Sequence, residues 1–176
     1  SLAGNTAIAS RLRVVPAPLI VSSPAVAAAL REEAAVREVL ELAQSAVVTL
    51  TGIGSAHPEE ASAVRSGVLT SADVARFMAR GAVGDMLGEW FDIRGNIVAE
   101  ATSDRRIGLG LDTLRGMDNV VGVAGGPDKV NAILGAVAGR FIKVLITDEP
   151  TAQALLEAVP PRRVSPAGPS RKKRTT

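Results

Sequence analysis

Residues 120–137 read VVGVAGGPDKVNAILGAV, and this stretch decides the fold. Val120 to Ala124 is a short apolar run without polar alternation, the pattern of a parallel strand buried on both faces. Gly125-Gly126-Pro127-Asp128-Lys129 follows as a turn. Val130, Ile133, Leu134 and Val137 then recur at i, i+3, i+4 and i+7, which places one apolar stripe along a helix. A strand that turns directly into a helix is half of a βαβ unit. The same two signals repeat on either side of it. Ala46–Leu50 and Ile142–Ile146 are further apolar runs, and Val36, Val39, Leu40, Ala43 and Ala152, Leu155, Leu156, Val159 are further helical stripes. The alternation predicts an α/β domain in three layers, with a largely parallel central sheet covered by helices.

Helix starts place the loops. Ser23 before Pro24 reads as an N-cap followed by proline at the first helical position. Thr70 with Asp73 has capping-box spacing for a helix through Arg80, and Glu149-Pro150 opens the last helix. Between Gly84 and Val98 the helical period stops, and Phe91-Asp92-Ile93-Arg94-Gly95-Asn96 predicts a turn in a small antiparallel excursion. A further helix is expected over 105–116, although Gly108 and Gly110 weaken its start. Residues 5–12 read as a helix, followed by an apolar stretch from Val14 to Val21 that Pro16 and Pro18 interrupt. A doubly wound domain would open on a strand and a tight turn, so the chain is expected to lack its beginning.

Composition removes several classes of function. The 176 residues contain no cysteine and one histidine, His57, so a disulfide framework, a thiolate metal site and a histidine-rich metal centre are excluded. Aromatic residues make up 2% of the chain, too few for a platform that stacks single-stranded bases. No apolar run approaches the ~20 residues that cross a bilayer, and no secretion-signal pattern opens the chain, so a soluble cytoplasmic protein without membrane partners is expected. The net charge of +2 is uneven: residues 161–176 carry six basic and no acidic residues, leaving 14 basic against 18 acidic in residues 1–160. The expected organisation is therefore a globular unit over 1–160 and a disordered basic tail over 161–176.

In an open parallel sheet, ligands bind beyond the carboxyl ends of the strands. Here those ends are Thr51-Gly52-Ile53-Gly54-Ser55, Gly125 to Lys129, and Thr147-Asp148-Glu149. Gly125 to Lys129 is either an anion seat, with backbone N–H groups and an ammonium beside a helix start, or a plain turn with a solvated lysine. Neither a Walker loop nor a GxGxxG dinucleotide pattern is present. Asp85, in Gly81-Ala82-Val83-Gly84-Asp85, is either an acceptor for sugar hydroxyls, a base raised by burial, or a capping aspartate. Arg65 is either an anion contact or a solvated helix residue. His57, in a polar loop without a placed partner, reads as a surface residue.

The ordered set PAPLIV (16–21), TGIGS (51–55), GVLT (67–70), GAVGD (81–85), FDIRGN (91–96), GGPDKV (125–130) and LITDEPTAQALL (145–156) resembles the effector-binding domain of SorC/DeoR-type transcriptional regulators. The resemblance implies a fold similar to the sugar-phosphate isomerase and deaminase group, the NagB/RpiA/CoA transferase-like fold. It implies a phosphorylated sugar effector, no cofactor, and a homo-oligomer that meets operator DNA only through an N-terminal helix-turn-helix module absent from this chain. Residue by residue, it puts the sugar-hydroxyl acceptor on Asp85 and the phosphate or carbonyl contact on Lys129. It puts pocket-lining loops on Gly52, Gly54 and Gly126, and, less securely, a phosphate contact on Arg65. No catalytic residue is implied. Residues 1–15 do not supply the family's first strand turn, so the isolated chain is expected to bind neither operator nor effector with full strength. The alternatives are an isomerase or deaminase of the same fold using Asp85 as base, and an oligomerisation module that has lost its ligand.

Overall fold

The Ser23 side chain accepts from the Val26 N–H, and Pro24 follows it, which starts helix α1 (Pro24–Glu32) where the sequence places it. Helix α2 (Ala34–Gln44) leads to strand β1 (Thr49–Gly52), and strand β2 (Gly54–Ser55) follows after a single residue. The computed structural model describes residues 12–58, 61–98 and 103–158. The expected helix over 5–12, all but its last residue, and the basic tail lie outside them. Helices α3 (Ser62–Arg65) and α4 (Ser71–Ala79) come next, the latter entered through the Thr70–Asp73 capping box. Strands β3 (Ala82–Met86) and β4 (Glu89–Asp92) form a hairpin on the two-residue turn Leu87-Gly88, both at positive φ. A 3₁₀ turn (Ser103–Arg105), helix α5 (Leu111–Gly116), strand β5 (Val120–Val123), a second 3₁₀ turn (Pro127–Lys129), helix α6 (Val130–Ala138), strand β6 (Val144–Ile146) and helix α7 (Glu149–Ala158) complete the order.

Two sheets result. Strands β1, β5 and β6 form a parallel sheet in the order β1-β5-β6, with Thr51 opposite Gly122 and Val123 opposite Ile146. Strands β2, β3 and β4 form an antiparallel sheet in which Gly54 pairs with Asp85. The mixed α/β architecture with a small antiparallel sheet is the expected one. The core lies on one side of the parallel sheet, where Val120, Ile142, Phe141, Leu111, Leu114, Ile133 and Ala136 pack with Phe91 and Met86 from the antiparallel sheet. Helix α6 touches β3 and β4, and small residues make this possible: a Cβ on Gly84 would stand 2.5 Å from the Ala132 Cβ. Phe77 of α4 packs on Trp90 in a second cluster at 5.0 Å between ring centroids.

Three expectations need correction. The parallel strands are not buried on both faces: Leu50 is 70% and Ile146 53% exposed, and Val123 and Val144 share that face with them by register. β1 and β6 are both edge strands, and the core covers only the inner face, so the apolar runs report strand rather than double burial. The α6 stripe is rotated from the expected one, since Val137 is exposed while Ala132, Gly135 and Ala136 are buried against the hairpin. The helix expected over 105–116 spans only 111–116. Arg106 instead bridges to Ile20 in extended conformation, and the Glu89 carboxylate accepts the Leu111 N–H at 2.6 Å, which fixes the helix start there.

Candidate functional site

The single-residue step between β1 and β2 carries the chain from the parallel sheet to the antiparallel one. The end of β1 is thereby brought beside β3. Asp85 points into the space between the sheets because Gly54, its cross-strand neighbour, has no side chain: a Cβ there would stand 2.0 Å from Asp85 Oδ1. The resulting cavity has a volume of about 530 Å³. Thr51, Gly52 and Gly54 of the β1–β2 step line it, with Asp85, Leu87 and Gly88 from the hairpin as one wall, Val123, Ala124 and Lys129 from β5 and the turn after it as another, and Leu19, Ile20, Ser66 and Leu69 completing the lining. It sits at the carboxyl ends of β1 and β5, where the fold places ligands. A second cleft of about 590 Å³ lies at the amino ends of the same strands, lined by Gln44 to Val47 and by Asp112, Thr113 and Gly116 to Asn119; it contains none of the expected site residues.

Asp85 is 8% exposed. Burial raises its carboxyl pKa above the ordinary value, while the Gly88 N–H that it accepts and the nearby Lys129 ammonium oppose that rise. A carboxylate held in this way has an unused acceptor capacity facing the cavity, suited to hydroxyl donors.

Lys129 arrives by a different route. It closes the 3₁₀ turn that follows Gly126, whose φ of +106° only glycine adopts without strain. The Gly126 N–H donates to Thr151 Oγ1 at 2.7 Å, and the Thr151 N–H donates to Asp148 Oδ1 at 2.8 Å. Asp148 also fills the space beside Gly125, where a Cβ would stand 2.1 Å from its Oδ2. Hydrogen bonds from the Thr151 hydroxyl and N–H and from the Gly126 N–H hold the Asp148 carboxyl below its usual pKa. The start of α7 thus anchors the loop that carries Lys129.

Of the residues singled out from the sequence, Asp85, Lys129, Gly52 and Gly54 meet in this cavity. Gly126 does not line it and instead shapes the loop from behind. Arg65 is exposed at the end of α3 and is not a lining residue, although Ala63 and Ser66 beside it are. His57 is exposed. Gly88 and Thr151 are not among the residues to which the sequence points, and Asp148 is there only as part of the Thr147-Asp148-Glu149 loop. Asp148 has a readable signal, an N-cap aspartate three residues before Thr151, but its grip on Gly126 is a cross-loop contact without a local pattern. Among the described residues, no group of three or more His, Cys, Asp or Glu side chains is arranged to hold a metal, and no helix is long and apolar enough to cross a membrane.

Comparison with known proteins agrees with this fold. The Sugar-bind family, described as "Putative sugar-binding domain", matches residues 3–157. The transcriptional regulator LsrR of Enterobacter sp. (strain 638) is 38% identical over 155 residues, covering 87% of this chain and 48% of the relative. LsrR of Escherichia coli (strain K12) is 38% identical over 157 residues, covering 88% and 50%. Among solved structures, the "Putative Sugar-Binding Domain of Transcriptional Repressor" from Vibrio fischeri superposes with a TM-score of 0.73 at 32% identity, covering 82% of this chain and 58% of that one. The full-length sorbitol operon regulator SorC from Klebsiella pneumoniae superposes with a TM-score of 0.72 at 28% identity, covering 79% and 45%. The chain spans about half the length of the curated relatives it matches. With the family profile running through nearly all of the described residues and the regulators agreeing in sequence and fold, the chain belongs to the sugar-binding domain family of LsrR- and SorC-type transcriptional regulators.

Proposed function

We propose that the chain binds a small phosphorylated sugar in the cavity between its two sheets, with Asp85 accepting bonds from sugar hydroxyls and Lys129 meeting the phosphate or carbonyl end. The observation that carries this reading is the convergence of one buried carboxylate and one ammonium on a single cavity at the carboxyl ends of parallel strands. The backbone of Gly52 and Gly54 lets a ligand approach closely, and the apolar lining of Leu19, Ile20 and Leu69 suits the carbon face of a sugar ring.

Within a longer regulator of the LsrR and SorC kind, the bound sugar acts by differential affinity: it favours the arrangement of the oligomer that binds it better, and a DNA-binding module outside these residues reads the shift on operator DNA in the cytoplasm. The role is binding rather than turnover, and similarity to transcriptional regulators supports it. Isothermal titration calorimetry against pentose and hexose phosphates tests the proposal. A phosphorylated sugar that binds the wild type and is weakened by Asp85→Asn and Lys129→Ala supports it. Equal affinity in all three proteins removes the cavity from the function.

A further inference from the structure

A buried cation that the binding proposal does not use stands behind the cavity wall. Arg106 is 7% exposed. Its Nη1 donates to the Leu109 carbonyl at 2.7 Å, and its Nη2 is 3.5 Å from Glu89 Oε2. Its Nε has no partner among the described residues. Glycines clear the guanidinium's space: a Cβ on Gly108 would stand 3.3 Å from Nη1, and one on Gly110 would stand 3.5 Å from Nη2. The stem of Arg106 passes behind the hairpin turn, with Cδ 3.5 Å from where a Cβ on Gly88 would be. Its backbone bridges to Ile20, and its carbonyl accepts from Arg31 Nη2 at 2.7 Å.

The turn in front of it needs holding. Leu87 has a φ of +53°, a conformation that non-glycine side chains resist. Leu87 and Gly88 both line the cavity, and Gly88 donates its N–H to Asp85. Glu89, the next residue, is clamped from two sides, by Arg106 and by the Leu111 N–H.

We propose that Arg106 is a positioning residue of the site: paired with Glu89 and tied to the Leu109 carbonyl, it holds the Leu87-Gly88 turn in contact with the cavity beside Asp85. The functional weight of this contact rests on the reading of Asp85 as the sugar-binding group. The charged group that acts on Asp85 is Lys129, on the 3₁₀ turn before α6; Glu89 on β4 and Arg106 pair with each other at 3.5 Å.

The test uses the protein without any sugar, so its failure is separate from failure of the binding proposal. Carbon-detected NMR follows the Asp85 carboxyl through a pH titration, and amide exchange follows the Gly88 N–H, in wild type, Arg106→Lys, Arg106→Met and Glu89→Gln. In Arg106→Met the Asp85 midpoint moves up and Gly88 exchange quickens by roughly tenfold or more, the consequence of losing a charge-assisted hydrogen bond. Arg106→Lys, which keeps the charge, restores part of both readouts. Glu89→Gln is the deciding variant and keeps an oxygen for the Leu111 N–H. Loss of the Glu89 charge alone leaves the Asp85 midpoint in place or lowers it, whereas a freed turn raises it. An unchanged or lowered midpoint in folded Glu89→Gln, with Gly88 exchange as in wild type, overturns the proposal and leaves Arg106 a purely structural residue.

Discussion

The two walls of the cavity are built on opposite plans. The Asp85 wall is a strand whose register shifts between Ala82 and Gly84, buried, and dependent on missing side chains: Gly54 clears the carboxylate, and Gly84 lets α6 pack directly on β3. The Lys129 wall is a 3₁₀ turn whose cation is only half-buried, held at a distance by Asp148 and Thr151. Burial penalises the charge of Asp85, whereas hydrogen bonding favours that of Asp148, and their carboxyl pKa values move in opposite directions. Under the proposed function, orientation and hydroxyl recognition fall to the rigid wall, where a misplaced atom cannot be absorbed. Charge neutralisation falls to the loop, where an ammonium on a long stem needs little precision.

The largest effect expected is on the rigid wall. Gly54→Val places atoms within 2.0 Å of Asp85 Oδ1, so either the carboxylate or strand β2 must move. A loss of about 3 kcal/mol or more of stability follows, with the effector response abolished. Gly52→Ala, only two residues away, has nothing within 4 Å of the new Cβ and is expected to stay within about 0.5 kcal/mol of wild type. Urea unfolding of the pair checks the contrast, and similar losses in both would show that the carboxylate's cradle is not what Gly54 provides.

That asymmetry also accounts for how much of the molecule was legible in the sequence. Strand β5 falls where the apolar run places it, and the Ser23 and Thr70 helix starts match because caps are local chemistry. Strand β1 lies two to three residues beyond its apolar run, because ladder bonds to β5 carry it through Thr51 to Gly52, a residue that strand propensity disfavours. Arg105 closes a 3₁₀ turn and residues 106–110 lie outside any helix, since the partners of this segment are Leu19, Ile20, Val21 and the Glu89 carboxylate, all distant in sequence. Asp85 and Lys129 stand out from their glycine-rich loops and take their roles from the resemblance, whereas their supports leave no such mark. Gly54 against Asp85 and Thr151 against Gly126 are contacts set by strand register and loop packing, which leave no periodic trace.

On the adjustable wall the expected losses are smaller and fall on binding. Lys129→Ala costs about 1.5–3 kcal/mol of phosphosugar affinity, the range of a charged hydrogen bond, with stability unchanged. Thr151→Val removes the acceptor of the Gly126 N–H while keeping shape, which costs about 1–2 kcal/mol of stability and a smaller share of affinity through the displaced loop. Calorimetry and urea unfolding on the same samples separate the two. A Thr151→Val protein with full stability would show that the 3₁₀ turn does not depend on α7.

The smallest and most specific prediction uses the opposite pKa shifts. Because the folded-state pKa of Asp85 is raised, the folded protein takes up this proton more readily than the unfolded chain. The burial cost of its charge is therefore fully present at neutral pH and is recovered as pH falls through the raised value. Phosphosugar affinity follows the reverse course, weakening over that same interval as the carboxylate loses its acceptor capacity. Asp148 behaves oppositely: its depressed pKa means that its contribution is present above the unfolded value and is lost only on further acidification. On acidification, affinity should thus decline before the loop loosens, and Asp85→Asn should flatten the first decline while leaving neutral-pH stability equal or higher. A wild-type affinity that holds steady until ordinary carboxylates titrate would mean that the rigid wall recognises its ligand without the charge of Asp85.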